Sequence, residues 1–145
     1  MRGDNLSDET LVSEPRIGYK VFLELGGALH GQFRGWNGAN SPQNETYQPG
    51  IEYTATRKEI PAWSTKKGDS GKSYPGGFHI FPSLADANRY CYPRAIKMFQ
   101  TEQVYKVSYR GRCTHGWQIA GGSISDCVAA EYSVRSREYG QTEYK

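Results

Sequence analysis

The sequence contains no long uninterrupted run of apolar residues. Apolar residues make up 37% of the 145 residues, and the longest apolar stretches span only a few positions, whereas a membrane-spanning helix needs about 20. The first 16 residues are polar and acidic, without the apolar segment of a secretory signal peptide. The sequence therefore predicts a protein that makes no use of a membrane and is located in the cytoplasm.

Cysteine is also scarce. Cys91, Cys113 and Cys127 are the three cysteines of the chain, and a secreted domain that depends on disulfides usually carries a denser, even-numbered set. A structural zinc site usually has two closely spaced ligand pairs, whereas Cys113 and His115 form the one such pair here. We therefore expect free thiols and no bound metal.

A complete phosphate-binding loop is missing as well. The stretch Gly68-Asp69-Ser70-Gly71-Lys72-Ser73 matches the end of that motif, but Lys66 stands where the motif requires its first glycine. The loop must also lead into a helix, and Tyr74-Pro75-Gly76-Gly77 does not extend one. The stretch is interpreted as a flexible loop.

What the chain does contain is aromatic residues, glycine and alternating patterns. Eleven tyrosines, three tryptophans and 17 glycines are typical of a β-rich chain with many turns. Strands are predicted at 19–25, 29–33, 51–55, 78–81, 104–110 and 127–134. Ser83 and Asp86 form a capping box that begins a short helix reaching about Tyr92. The predicted fold is α+β, with mostly antiparallel strands around one core and one or two short helices.

The predicted domain organisation is simple. Residues 1–16 are expected to form a flexible tail, residues 17–135 a single domain, and residues 136–145 a polar tail. Residues 34–50 and 56–77 are expected to be long loops, and long loops in compact domains are usually functional or disordered.

These loops carry aromatic and basic residues side by side, which favours contact with a partner. Aromatic side chains commonly anchor interfaces, and the candidates are Trp36, Tyr47, Trp63 and Tyr74. The net charge of +3 permits weak attraction to nucleic acid, but acidic residues are interleaved with the basic ones and would repel a phosphate backbone. The loops therefore favour a protein partner over nucleic acid.

One stretch resembles a known family. Gly77-Phe78-His79-Ile80-Phe81-Pro82-Ser83-Leu84-Ala85-Asp86-Ala87-Asn88-Arg89-Tyr90, followed by Val104-Tyr105-Lys106-Val107, resembles the Gly-x-Tyr/Phe-x-x-x-Ser-x-x-x-Ala-x-x-Tyr block of ADP-ribosyltransferase-like domains. The order of blocks along the chain, about 115 residues, is also similar to that of small phage and prophage proteins. A phage protein of this kind would act in the host cytoplasm.

The resemblance implies NAD as a ligand and assigns roles to five residues. Phe78 would stack on the nicotinamide ring, and Tyr90 would complete an aromatic wall. Tyr19 and Lys20 would flank the ribose, with Lys20 at the position where the family has His or Arg. Glu131 would be the catalytic carboxylate that polarises the ribose.

Two interpretations follow, and the sequence leaves both open. In the first, the chain is a phage accessory protein with an ADP-ribosyltransferase-like domain that binds NAD or a related nucleotide, either as an enzyme or as a catalytically degenerate member. In the second, it is a non-enzymatic phage protein that binds and inhibits a host factor through its aromatic loops.

Overall fold

The computed structural model describes residues 1–2, 6–25, 28–31, 46–62, 72–91, 100–120 and 123–139. The secondary-structure elements are β1 (Thr10–Leu25), β2 (Ala28–Gly31), β3 (Glu52–Thr54), β4 (Glu59–Pro61), β5 (Ser73–Pro75), β6 (Phe78–Ile80), α1 (Leu84–Tyr90), β7 (Gln100–Ala120) and β8 (Ser123–Tyr139). Strands dominate, all the pairings are antiparallel, and the fold agrees with the predicted α+β class.

Three long strands, β1, β7 and β8, form the centre of the main sheet. β7 pairs with β1 on one side and with β8 on the other, and β2 extends the sheet beyond β1. The far side of β8 pairs with two short strands, β6 over residues 128–130 and β3 over residues 132–134. β4 and β5 form a separate two-stranded sheet.

The end of β6 returns to β1. The N–H of Tyr19 donates to the carbonyl of Phe81, and the N–H of Phe81 donates to the carbonyl of Tyr19, each at 2.8 Å. Since β6 also pairs with β8, the hydrogen-bonded path β1, β7, β8, β6 closes on itself. The closure requires a glycine next to Tyr19, because a Cβ atom at Gly18 would lie 2.4 Å from a methyl carbon of Ile80.

Buried residues lie on both faces of the sheet, and alternation along each strand divides the core into two clusters. The first cluster contains Phe22, Phe78, Val107 and Val128. The second cluster contains the intervening residues of the same strands together with α1 and the β4–β5 hairpin, and its members include Val21, Phe81, Ala87, Ile60 and Tyr74.

The helix begins where the capping box predicts. Ser83 is the N-cap, and its Oγ accepts a hydrogen bond from the N–H of Asp86 at 3.3 Å. Ala87 is fully buried against the sheet. In the parts of the chain that the structure describes, no helix is both long and apolar enough to cross a membrane.

The predicted N-terminal tail is not a tail. β1 begins at Thr10 instead of Ile17, and before it the N–H groups of Arg2 and Ser7 donate to the carbonyls of Trp117 and His115 on β7, each at 2.8 Å. Most side chains of residues 10–16 face solvent, and their polar character therefore does not exclude a strand. Pro15 is accommodated because the β1–β7 register shifts between Val12 and Arg16, and a proline is tolerated at a bulge.

Two further boundaries differ from the predictions. The predicted loop 56–77 contains the β4–β5 hairpin, in which Ile60 pairs with Tyr74 and both are buried. β8 continues to Tyr139, beyond the predicted domain end at residue 135. The predicted loop 34–50 and the glycine-rich stretch Gly68–Gly71 lie largely or wholly outside the described residues.

The alternating pattern predicts that a strand ends before Gly111, but β7 continues through this glycine. Its φ of +90° falls in the left-handed region that favours glycine, and the register with β8 shifts between Arg110 and Cys113. A Cβ atom here would lie 2.6 Å from a ring carbon of Tyr132 and 2.8 Å from Glu131 Oε1. Gly111 therefore forms a β-bulge that the side chains of β8 fill.

The Gly111→Ala variant is expected to be markedly less stable than the Gly50→Ala variant. Gly50 also has a positive φ, +78°, but no atom lies within 4 Å of the position that a Cβ would take there, so both variants carry about 1–3 kcal/mol of backbone strain. The collision adds a further ~1 kcal/mol or more at Gly111. Chemical denaturation measures both, and equal losses would contradict the packing assigned to the bulge.

Candidate functional site

Among the described residues, Lys20 is the least exposed charged side chain. It lies in the middle of β1 and shares a face of the strand with Phe22, and its side chain is 1% exposed. Its Nζ lies 5.4 Å from the ring centroid of Phe22 and 5.9 Å from that of Phe78. Both distances are within the range of a cation–π interaction, so the two rings stabilise an ammonium group that the fold removes from water.

A small cavity of about 10 Å³ adjoins this lysine. We call it the Lys20 pocket, and its described lining residues are Lys20, Phe22, Tyr47, Tyr53, Phe78, Ser133 and Arg135. The free space suffices for about one water molecule. The pocket is therefore a small site lined by four aromatic rings and two basic side chains.

Arg135 is the second basic residue of the pocket. Its guanidinium carbon lies 4.8 Å from the centroid of the Tyr105 ring, and its Nε donates a hydrogen bond to the carbonyl of Tyr47 at 2.7 Å. The sequence prediction missed Arg135 because it ended the last strand at Val134. The spacing of Ser133 and Arg135, two residues apart, would have placed them on one face of a longer strand.

Burial lowers the pKa of Lys20 from its ordinary 10.5 to about 8. Desolvation disfavours the charged form and is the dominant cause, while the nearby Cys127 acts in the opposite direction. The pocket thus holds an amine that changes its charge close to neutral pH, and such groups are concentrated at functional sites.

The cofactor-binding residues predicted from the sequence separate into two pairs. Lys20 and Phe78 lie together in the Lys20 pocket. Tyr19 and Tyr90 pack against the second core cluster, on the other face of the sheet, where the rings of Tyr90 and Phe81 lie 5.1 Å apart. Adjacent residues of a strand point to opposite faces, so Tyr19 and Lys20 do not flank a common ligand.

Glu131, the candidate catalytic residue, bonds to the Gly111 bulge. Its Oε1 accepts from the N–H of Arg112 at 3.0 Å, and its Oε2 accepts from the Arg112 guanidinium at 2.7 Å. These hydrogen bonds hold the pKa of Glu131 below its usual value. Both carboxylate oxygens thus have partners within the fold, and Glu131 is not among the described lining residues of the Lys20 pocket.

Two of the four aromatic residues predicted to meet a partner are buried. Tyr47 is 5% exposed and Tyr74 is 3% exposed, so neither side chain is presented on the surface. Trp36 and Trp63 lie outside the described residues.

Tyr74 belongs to a buried chain of hydrogen bonds. His79 Nδ1 donates to the carbonyl of Gly77 at 3.1 Å, so Nε2 of the neutral ring accepts from the Tyr74 hydroxyl at 2.7 Å, which in turn accepts from the amine of Met1 at 2.6 Å. Burial holds the pKa of His79 well below 6.5 and raises that of Tyr74. These hydrogen bonds give partners to polar atoms that the second core cluster encloses.

A second, more open groove of about 400 Å³ lies where residues 6–7 meet the β7–β8 hairpin, and His115, Asp126 and Cys127 line it. Burial raises the pKa of the Cys127 thiol to about 11, so this thiol is unreactive at neutral pH. The described residues include no group of three or more His, Cys, Asp or Glu side chains that could hold a metal ion.

Comparisons with protein-family models, with curated proteins and with solved structures find no match. The resemblance to ADP-ribosyltransferase-like domains and to phage proteins therefore stays a prediction from the sequence. The chemistry of the Lys20 pocket has to be judged from its own residues.

The Lys20→Met variant is expected to be more stable than the wild type at pH 7, by an amount that shrinks as the pH rises. The unfolded chain keeps the lysine proton to about pH 10.4, whereas the folded chain releases it at about 8. The penalty for burying the charge is thus complete below pH 8 and declines above it. Between pH 8 and 10 the difference should shrink by roughly 2–3 kcal/mol.

Chemical denaturation of both proteins at several pH values measures this difference. Ionisation of groups that do not interact with Lys20 affects both proteins alike and cancels, and Cys127, which does interact with it, has its pKa raised by burial to about 11. Lys106→Met, at an exposed lysine of β7, controls for the removal of a lysine as such. A difference that stays constant from pH 7 to 10 would contradict the pKa assigned to Lys20.

Proposed function

We propose that the chain is a phage-type accessory protein with an ADP-ribosyltransferase-like domain that binds NAD or a related nucleotide in the Lys20 pocket. The observation that carries the proposal is the proximity of Lys20 and Phe78, whose ammonium and ring centroid are 5.9 Å apart. Both are candidates for the NAD site from the sequence alone, although 57 residues separate them in the chain.

The composition of the pocket supports an anionic ligand that contains a planar ring. Its seven described lining residues include a lysine and an arginine but no aspartate or glutamate. An arginine pairs with phosphate through charge-assisted hydrogen bonds, and a phenylalanine face stacks on an aromatic base. A nucleotide combines both features, since it carries its phosphate close to its base.

The same geometry favours binding over turnover. A carboxylate that polarises a ribose has to direct an oxygen at the ligand, whereas both oxygens of Glu131 are hydrogen-bonded to Arg112. We therefore assign Glu131 the task of holding the Gly111 bulge and describe the domain as a catalytically degenerate, nucleotide-binding one.

Calorimetric titration with NAD and ADP-ribose tests the binding. The wild type is expected to bind both, and Arg135→Gln is expected to weaken binding by about tenfold or more, since a hydrogen bond to a charged group contributes about 1.5–3 kcal/mol. Arg110→Gln is the matched control, because Arg110 likewise lies over a tyrosine ring, at 4.3 Å from the centroid of Tyr132, but pairs with Glu52. It should bind like the wild type.

Circular dichroism confirms that each variant is folded before it is titrated. If the folded wild type binds neither nucleotide at millimolar concentration, the proposal is wrong. The second interpretation, a host protein bound through the loops that carry Trp36 and Trp63, would then be pursued by affinity capture.

Glu131→Gln is expected to lower the melting temperature without changing the affinity for NAD. The loss should exceed that of Glu52→Gln, which removes the pair between Glu52 and Arg110 at a more exposed position. The fold lowers the pKa of Glu131. The stabilisation that its carboxylate contributes is therefore present above about pH 4.3, the ordinary pKa of a glutamate, and is lost as the pH falls through the lower pKa of the folded chain.

NAD hydrolysis by the wild type and Glu131→Gln is measured in parallel. Turnover by the wild type that disappears in a folded Glu131→Gln variant of unchanged affinity would identify Glu131 as catalytic and contradict the assignment made here.

A further inference from the structure

One wall of the Lys20 pocket is formed by Tyr47, which belongs to a short segment, residues 46–50, that we call the Tyr47 strap. The N–H of Tyr47 donates to the carbonyl of Leu29 at 3.0 Å, and the N–H of Gln48 donates to the hydroxyl of Tyr53 at 2.9 Å. The N–H of Gly50 donates to the carbonyl of Arg135 at 3.0 Å. Together with the Arg135 Nε bond to the Tyr47 carbonyl, four hydrogen bonds hold the strap in place.

The strap places one aromatic ring deep in the pocket. The centroid of the Tyr47 ring lies 5.5 Å from that of Phe22, 4.9 Å from that of Tyr53 and 5.9 Å from that of Phe78. The last two contacts are edge-to-face, an arrangement that aromatic pairs favour. Tyr47 therefore occupies the aromatic surface on which the base of a nucleotide would have to stack.

The remaining free space excludes a ligand while Tyr47 is in place. The cavity holds about 10 Å³, whereas sites for ligands of this size usually have several hundred. A nucleotide therefore enters only if the Tyr47 ring leaves. The strap lies outside the strands and is held by hydrogen bonds whose donors and acceptors water can replace.

We propose that Tyr47 is an internal competitor of the ligand, so that the Tyr47 ring and the base of a nucleotide occupy the pocket in turn. The inference rests on the proposed function, because it concerns the same site. When the strap leaves, Arg135 exchanges the Tyr47 carbonyl for a phosphate oxygen and thereby gains a charge-assisted hydrogen bond. The measured affinity is then the intrinsic affinity reduced by the small fraction of molecules in which the strap is open.

The test compares ADP-ribose binding by the wild type, Tyr47→Ala and Tyr47→Phe. Tyr47→Ala removes the competing ring and is expected to bind about tenfold more tightly, which corresponds to a closing free energy of about 1.4 kcal/mol. Tyr47→Phe keeps the competing ring and is expected to bind more weakly than Tyr47→Ala. Tyr53→Phe removes the hydroxyl that holds Gln48 and should give a smaller increase in affinity.

Hydrogen exchange provides a second test that uses the wild type alone and needs no variant. Saturation with ADP-ribose is expected to decrease the protection of the Tyr47, Gln48 and Gly50 amides, which are the donors of the strap, while amides of β1 and β8 become more protected. Increased protection of the strap amides would mean that the strap closes over the ligand, and this would overturn the inference.

The outcomes separate the two proposals. Binding by the wild type that Tyr47→Ala leaves unchanged or weakens refutes the competition but not the proposed function. Binding by the wild type that becomes about tenfold tighter in Tyr47→Ala supports both. If neither folded protein binds ADP-ribose or NAD, both proposals fail.

Discussion

Two backbone hydrogen bonds, between Tyr19 and Phe81, determine where the Lys20 pocket forms. They connect the end of β6 to the middle of β1, and the neighbouring residues on the other face of each strand, Lys20 and Ile80, are thereby turned into the first core cluster. Phe78 follows from the same pairing, because it lies two residues before Ile80 on the same face. The lysine is thus enclosed because the sheet closes, and the pocket cannot form without that closure.

Local patterns predict the elements better than their extent. The strand at 19–25, the strand at 78–81 and the capped helix at Ser83 are present in the structure because alternation and capping are local properties. The strand at residues 10–16 is not predicted because its pairing with β7 is a long-range property. The polar side chains and Pro15 of this segment are instead typical of a flexible tail. The local pattern at Gly111 is that of a strand end. The residue forms a bulge because β8 places side chains against it, and no local pattern encodes that contact.

The candidate site is predictable only in part for a related reason. The resemblance brings Lys20 and Phe78 together, but a sequence does not state which tyrosines of a polar segment turn inward. Tyr47 and Tyr74 are amphipathic, and each is buried with hydrogen bonds or rings around it. Glu131 is a similar case. Its carboxylate accepts hydrogen bonds from Arg112 beside the Gly111 bulge, and this partner is identifiable only once the register between β7 and β8 is known.

The burial of the Lys20 charge affects both the stability of the fold and the binding of an anion in the pocket. A lysine ammonium enclosed by protein destabilises the fold unless it is compensated, and a methionine of similar volume would fill the same space without this penalty. Rings of Phe22 and Phe78 compensate part of the penalty, and a phosphate would compensate more. If the strap exchanges with a ligand, the relief of the buried charge by a phosphate adds to the free energy of binding, whereas the free energy that holds the strap closed subtracts from it. The arrangement that weakens the fold at Lys20 is therefore the one that makes the site responsive to an anion.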